Sequence, residues 1–130
     1  MVGSREKLLG VRLAPEWIGQ YPVRVSTPED DVPLDISPEE LVDEYGVPAD
    51  ICAAIEEWDR EFQDTYRPDD PAQSGFEDEE AMERWVERGL AIGRRLAGEL
   101  GPRIPVEIRT ARGRVIVDAD PTTAPGHPGG

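Results

Sequence analysis

The chain holds one cysteine, one histidine and one lysine in 130 residues. Cys52 alone excludes an internal disulfide and a thiolate metal cluster, and it suits a reducing compartment. The sole imidazole, His127, stands in a Pro/Gly-rich stretch that cannot hold a general base in place, so Ser-His and Cys-His nucleophile pairs are not expected. No stretch approaches the roughly 20 apolar residues of a membrane span. Residues 1–10 lack the apolar run of a signal peptide, and the expectation is a cytoplasmic protein. Basic charge is also scarce: 14 Lys and Arg stand against 28 Asp and Glu, for a net charge of −14. Such a chain repels phosphate backbones and anionic lipid surfaces, which argues against nucleic acid and membrane as partners. A basic protein partner would instead be attracted and steered.

What is present suffices for one folded unit. A chain of this length buries roughly two-thirds of its unfolded surface without staples. Its apolar residues, 38% of the total, are clustered. The charge is clustered too. From Glu29 to Glu83 there are 21 acidic residues and two basic ones, Arg60 and Arg67, a net of −19. Residues 1–28 carry +2 and residues 84–130 carry +3. An acidic block thus lies between two mildly basic ends.

The pattern predicts an α+β fold. Residues 8–13 read as a short strand or a loosely packed arm, and Tyr21, Val23 and Val25 alternate as a strand. Ser37, Pro38 and Glu40 predict a capping box opening a short helix that Gly46 stops. A second helix follows Pro48, with Ile51, Ile55, Trp58 and Phe62 on one stripe. The run from Arg67 to Pro71 breaks it. A third helix runs from Glu77 or Asp78 to Leu100, with Met82, Trp85, Val86, Leu90, Leu96 and Leu100 as its buried stripe, and Gly101-Pro102 ends it. Gly89, Gly93 and Ala97 form a small-residue ridge expected to admit the Trp58/Phe62 stripe. Residues 104–108 and 115–117 predict a hairpin that joins the strand near Tyr21–Val25 in a small antiparallel sheet, covered by two long helices and one short one. Residues 1–120 are read as a single α+β domain, and 121–130, Pro/Gly-rich, as a disordered tail.

Candidate chemistry is sparse. Cys52 follows Ile51 near a helix start but lies among acids, so packing explains it better than a reactive thiolate. The clusters Asp69-Asp70 and Glu77–Glu80 do not match a calcium-binding loop, and a polar loop and a dipole-matched helix start account for them. Paired carboxylates used in catalysis need apolar pockets, and these acids fall on exposed faces. No catalytic, cofactor-binding or metal-ligating residue is assigned, and no cofactor is expected. The acidic excess itself is the candidate feature. Asp43, Glu44, Glu56, Glu57, Asp59, Glu61, Asp64, Asp69 and Asp70 are the candidate partner contacts, with Trp17 as a candidate aromatic anchor.

Leu34-Asp35-Ile36-Ser37-Pro38-Glu39-Glu40-Leu41, Trp58, Phe62, Asp69-Asp70-Pro71, Ser74-Gly75-Phe76, Trp85, Gly89 and Glu99-Leu100-Gly101 carry a resemblance. This stretch, residues 34–101, resembles a group of small, little-characterised acidic proteins of high-GC, actinobacterial-type bacteria. Its motifs are structural: a cap, a core stripe, a loop and a helix stop. The resemblance implies an immunity-type or accessory protein. Three readings follow. One is a non-catalytic, antitoxin-like inhibitor docking an acidic helical face onto a basic toxin such as a nuclease. The second is an accessory subunit of a larger assembly, and the third a small-molecule or metal-binding enzyme. Oligomeric state stays open.

Overall fold

The computed structural model describes residues 7–15, 21–70, 75–110 and 113–118. Five strands and three helices form in the order β1 (Gly10–Leu13), β2 (Val23–Ser26), β3 (Leu34–Ile36), α1 (Pro38–Tyr45), α2 (Ala49–Gln63), α3 (Glu79–Leu100), β4 (Val106–Thr110) and β5 (Gly113–Val117). The strands make one sheet in the order β3-β2-β1-β4-β5. The α+β class and the helix-on-sheet packing match the expectation, but the sheet is mixed. β1 and β4 run parallel, with Val11 opposite Val106 and Leu13 opposite Ile108. The C-terminal hairpin therefore joins β1, where the sequence pattern had pointed to Tyr21–Val25. A parallel pair needs a long crossover, and the chain between Leu13 and Val106 supplies it as two strands and all three helices. The other neighbours, β1 with β2, β2 with β3 and β4 with β5, are antiparallel.

Alternation along the strands sends Val11, Leu13, Val23, Val25, Ile36, Val106, Ile108 and Val117 into the core. There they meet Ile51, Ile55, Trp58, Trp85, Ile92, Leu96 and Leu100 from α2 and α3. Met82, Val86 and Leu90 only flank this core, while Ile92, outside the expected stripe, is buried within it. The opposite face of the sheet is mostly polar. Arg12 lies opposite Arg24 and Glu107, and Arg109 opposite Arg114. Glu107 accepts a 2.9 Å bond from Arg12 and lies 3.9 Å from Arg114, which offsets the crowding of like charges. Arg12 and Arg24 thus share one face of the sheet with Arg109 and Arg114.

Local chemistry sets the helix ends. Pro38 holds the first position of α1 as expected, but Ser37 makes no side-chain cap bond, so the capping box does not form. The Glu40 N–H donates instead to the Ser37 carbonyl at 3.0 Å. Gly46, with φ of 67°, ends α1 by turning its own N–H and that of Val47 back onto the Val42 and Leu41 carbonyls. An L side chain resists that conformation, which explains the glycine. Asp78 caps α3 through a 2.7 Å bond from the Ala81 N–H to its carboxylate.

Two indoles hold α2 to α3. Trp58 and Trp85 stack with centroids 4.4 Å apart and planes 8° from parallel. Each ring N–H donates to the other residue's backbone carbonyl at 2.9 Å. A buried indole needs an acceptor, and here each tryptophan supplies the other's. Phe62 and Phe76 pack on Trp85 with centroids 5.2 and 5.4 Å from it. The small-residue ridge of α3 divides its work. Gly89 lies against the Trp58 ring, where a Cβ would come within 2.7 Å of Cε2, whereas Gly93 faces Ile108 and Val117 of the sheet. Among the described residues no helix is long and apolar enough to cross a membrane. Residues 121–130, including His127, lie outside the described residues, as does Trp17.

Candidate functional site: the carboxylates of the first two helices

The candidate acids separate into groups according to the packing around them. Asp43 and Glu44 are exposed in the last turn of α1, which contains no basic residue. Their field is visible on two neighbours. Burial first, then Glu44, Glu40, Asp30 and Glu29, push the Tyr45 phenol above its ordinary range. Burial first, then Glu56, Glu39 and Asp43, push the Cys52 thiol up. Cys52 is buried and held protonated by its surroundings, a small packing residue and a poor nucleophile. The carboxylates acting on these two groups show that Glu29, Asp30, Glu39 and Glu40 share the field of Asp43, Glu44 and Glu56. Sequence reading placed them in the acidic block but not among the candidate contacts. The signal was available, because positions 39, 40, 43 and 44 recur at helical spacing.

Glu56 and Asp59 lie on one flank of α2, in a groove they share with Tyr21, Pro38, Glu39 and Gln63. Asp59 is half-buried there, and burial raises its carboxyl above the ordinary value although the Gln63 amide donates to it at 3.0 Å. Glu57 and Glu61 lie on the other flank, in a groove between α2 and α3. Glu61 pairs with Arg88 at 2.5 Å, and Asp50, in the first turn of α2, pairs with Arg95 at the same distance. Arg95 therefore reaches across to the neighbouring helix. Asp64 is the C-cap of α2. Asp69 and Asp70 are exposed in the turn that follows, where the Asp70 N–H donates to the Arg67 carbonyl.

The candidates thus do not make one uniform face. Glu61 is neutralised at the α2–α3 seam, while Asp43, Glu44, Glu57, Asp64, Asp69 and Asp70 form no ion pair among the described residues. Three of these six stand where local energetics oppose them. Asp43 and Glu44 close α1, and Asp64 closes α2, so each sits at the negative end of a helix dipole. The first-turn acids Glu79 and Glu80 of α3 have the favourable placement, and dipole matching explains them.

Among the described residues no three His, Cys, Asp or Glu side chains converge as a metal site would require. No buried side-chain polar atom among the described residues lacks a partner. The arrangement presents charge outward and can engage a cationic surface. The chain is thus a small α+β domain with a helical layer on one side of its sheet and many exposed carboxylates on the first two helices. The family model described as Serratia CdiI immunity protein-like matches residues 10–110, and the chain belongs to that family. No curated protein matches it.

Proposed function

We propose that this chain is an immunity protein that binds a toxin and neutralises it without catalysis, acting in the bacterial cytoplasm. The acidic surface of α1, α2 and the Arg67–Asp70 turn docks onto a basic surface of the toxin, such as the substrate groove of a nuclease. Family membership supports the toxin-binding role. One observation carries the docking surface: Asp43, Glu44 and Asp64 stay unpaired among the described residues at the negative ends of two helices. Stability alone disfavours carboxylates there, and attraction of a cationic partner accounts for them.

The test is stopped-flow association with the cognate toxin domain. Rim charges act mainly on the on-rate. Replacing Asp43, Glu44, Asp64 and Asp69 together by their amides is expected to slow association by roughly tenfold at low salt, as is raising the salt to about 0.5 M. Glu61→Gln is expected to change it little, because Arg88 already neutralises Glu61. Association that ignores both salt and the four substitutions would refute the electrostatic docking.

A further inference from the structure

The two edges of the sheet differ in a way that the docking reading does not use. Protective devices normally blunt a sheet edge: short strands, proline, charge or bulges. β3 has them, being three residues long, preceded by Pro33 and carrying Asp35 at its centre. β5 lacks them. It is five residues long, contains no proline and is the terminal strand of the described sheet. It exposes apolar side chains on both faces of the sheet: Val115 is 44% exposed and Ile116 63%. The register with β4 assigns the faces. Val115 and Val117 stand opposite Ile108 and Val106 on the helix side, and Arg114 and Ile116 stand opposite Arg109 and Glu107 on the outer side. Alternation places exposed Asp118 on the outer side as well.

We propose that β5 pairs with β5 of a second copy of this chain, about a two-fold axis at Ile116, to make one continuous ten-stranded sheet. The strand is self-complementary in this register. Ile116 meets Ile116 of the second copy, and Val115 meets Val117 of the second copy on the helix side. On the outer side Arg114 meets Asp118 of the second copy, twice by symmetry. Residues directly opposite share a face and interact, so an antiparallel pair gains apolar and ionic contacts together. A two-fold contact of this kind closes on itself and buries both edges. The net charge of −14 does not forbid it. β5 lies four strand spacings of about 4.8 Å from β3, the edge that leads into acidic α1, so roughly 19 Å of sheet separate the two. α3 is the helix packed on β4 and β5, while α2 packs on α3 and α1 on α2.

The experiment uses the full chain without toxin, so its outcome is independent of the docking reading. Light scattering coupled to size exclusion at high micromolar concentration is expected to give twice the 14.4 kDa chain mass. Ile116→Lys is expected to give the monomer mass. Arg114→Asp alone and Asp118→Arg alone are each expected to weaken association at least tenfold, and the two together to restore it, because each side chain meets the other across the axis. Circular dichroism checks that each variant is folded, which their exposed positions allow. A monomeric wild-type chain, single charge reversals without effect, or a double variant that stays monomeric would each overturn the proposal.

Discussion

Replacing Gly89 by alanine sets two physical effects of opposite sign against each other. Helix propensity favours the change, since glycine inside a helix costs about 1 kcal/mol relative to alanine. Packing opposes it. A Cβ at position 89 would lie 2.7 Å from Cε2 of Trp58 and 3.0 Å from its Nε1. Those atoms belong to a rigid ring, stacked 4.4 Å from Trp85 and tied to it by two reciprocal 2.9 Å hydrogen bonds. Moving the ring strains both bonds and the stack. Overpacking a well-filled core costs roughly 1–3 kcal/mol, and disturbing a buried hydrogen bond costs about 1–3 kcal/mol. Against the propensity gain, the net is a destabilisation of about 3 kcal/mol, near 12 °C in Tm at about 4 °C per kcal/mol for a domain of this size. Gly93→Ala is expected to cost less, because its nearest neighbour, at 2.7 Å, is Cδ1 at the flexible end of Ile108. Thermal melts and urea titrations of both variants measure this. A Gly89→Ala protein as stable as the wild type, or more so, would show that the two helices can separate without loss, and the tryptophan lock would be refuted.

Other outcomes follow from the perturbed groups. The Asp59 carboxyl is raised above its unfolded value of 3.8 by burial, so ionising it opposes folding, and the stabilisation it gives when protonated is lost as pH rises through the folded value. Asp59→Asn should therefore raise Tm at neutral pH, with the advantage disappearing below the ordinary carboxylate range; an advantage unchanged at acid pH would contradict the burial argument. Cys52 should react slowly with iodoacetamide at mildly alkaline pH. Glu56→Gln should speed the reaction by removing the leading charge that raises the thiol, and an unchanged rate would mean that access to Cys52, not its ionisation, is limiting.

Much of the fold was legible because local chemistry fixed it. Pro38, Gly46, Asp78 and Gly101 mark helix ends through rules that act within a few residues, and the helices end close to where those residues put them. The stripe Ile51, Ile55, Trp58 was readable from its 3.6-residue period. Ile92 was not, because α3 is buried on two sides at once, Gly89 against Trp58 of α2 and Gly93 against Ile108 and Val117 of the sheet, so a single stripe does not describe it. The sheet was read least well. β1 and β3 have four and three residues, too few for alternation to register strongly, and the parallel pairing of β1 with β4 joins residues 95 apart in the sequence.

The candidate surface shows the same division. Composition and order alone determined that the chain is acidic, that the acids fall in the middle, and that its helices have defined ends, because charge counts and short-range caps need no partner across the molecule. Only the tertiary structure decided which carboxylates are paired. It turned Glu61 and Asp50 onto Arg88 and Arg95 of α3, left Asp43, Glu44 and Asp64 unpaired among the described residues, and set Arg12 and Arg24 on the same face of the sheet as Arg109 and Arg114. Ion pairing acts over a few ångströms, and those distances exist only once distant segments have packed.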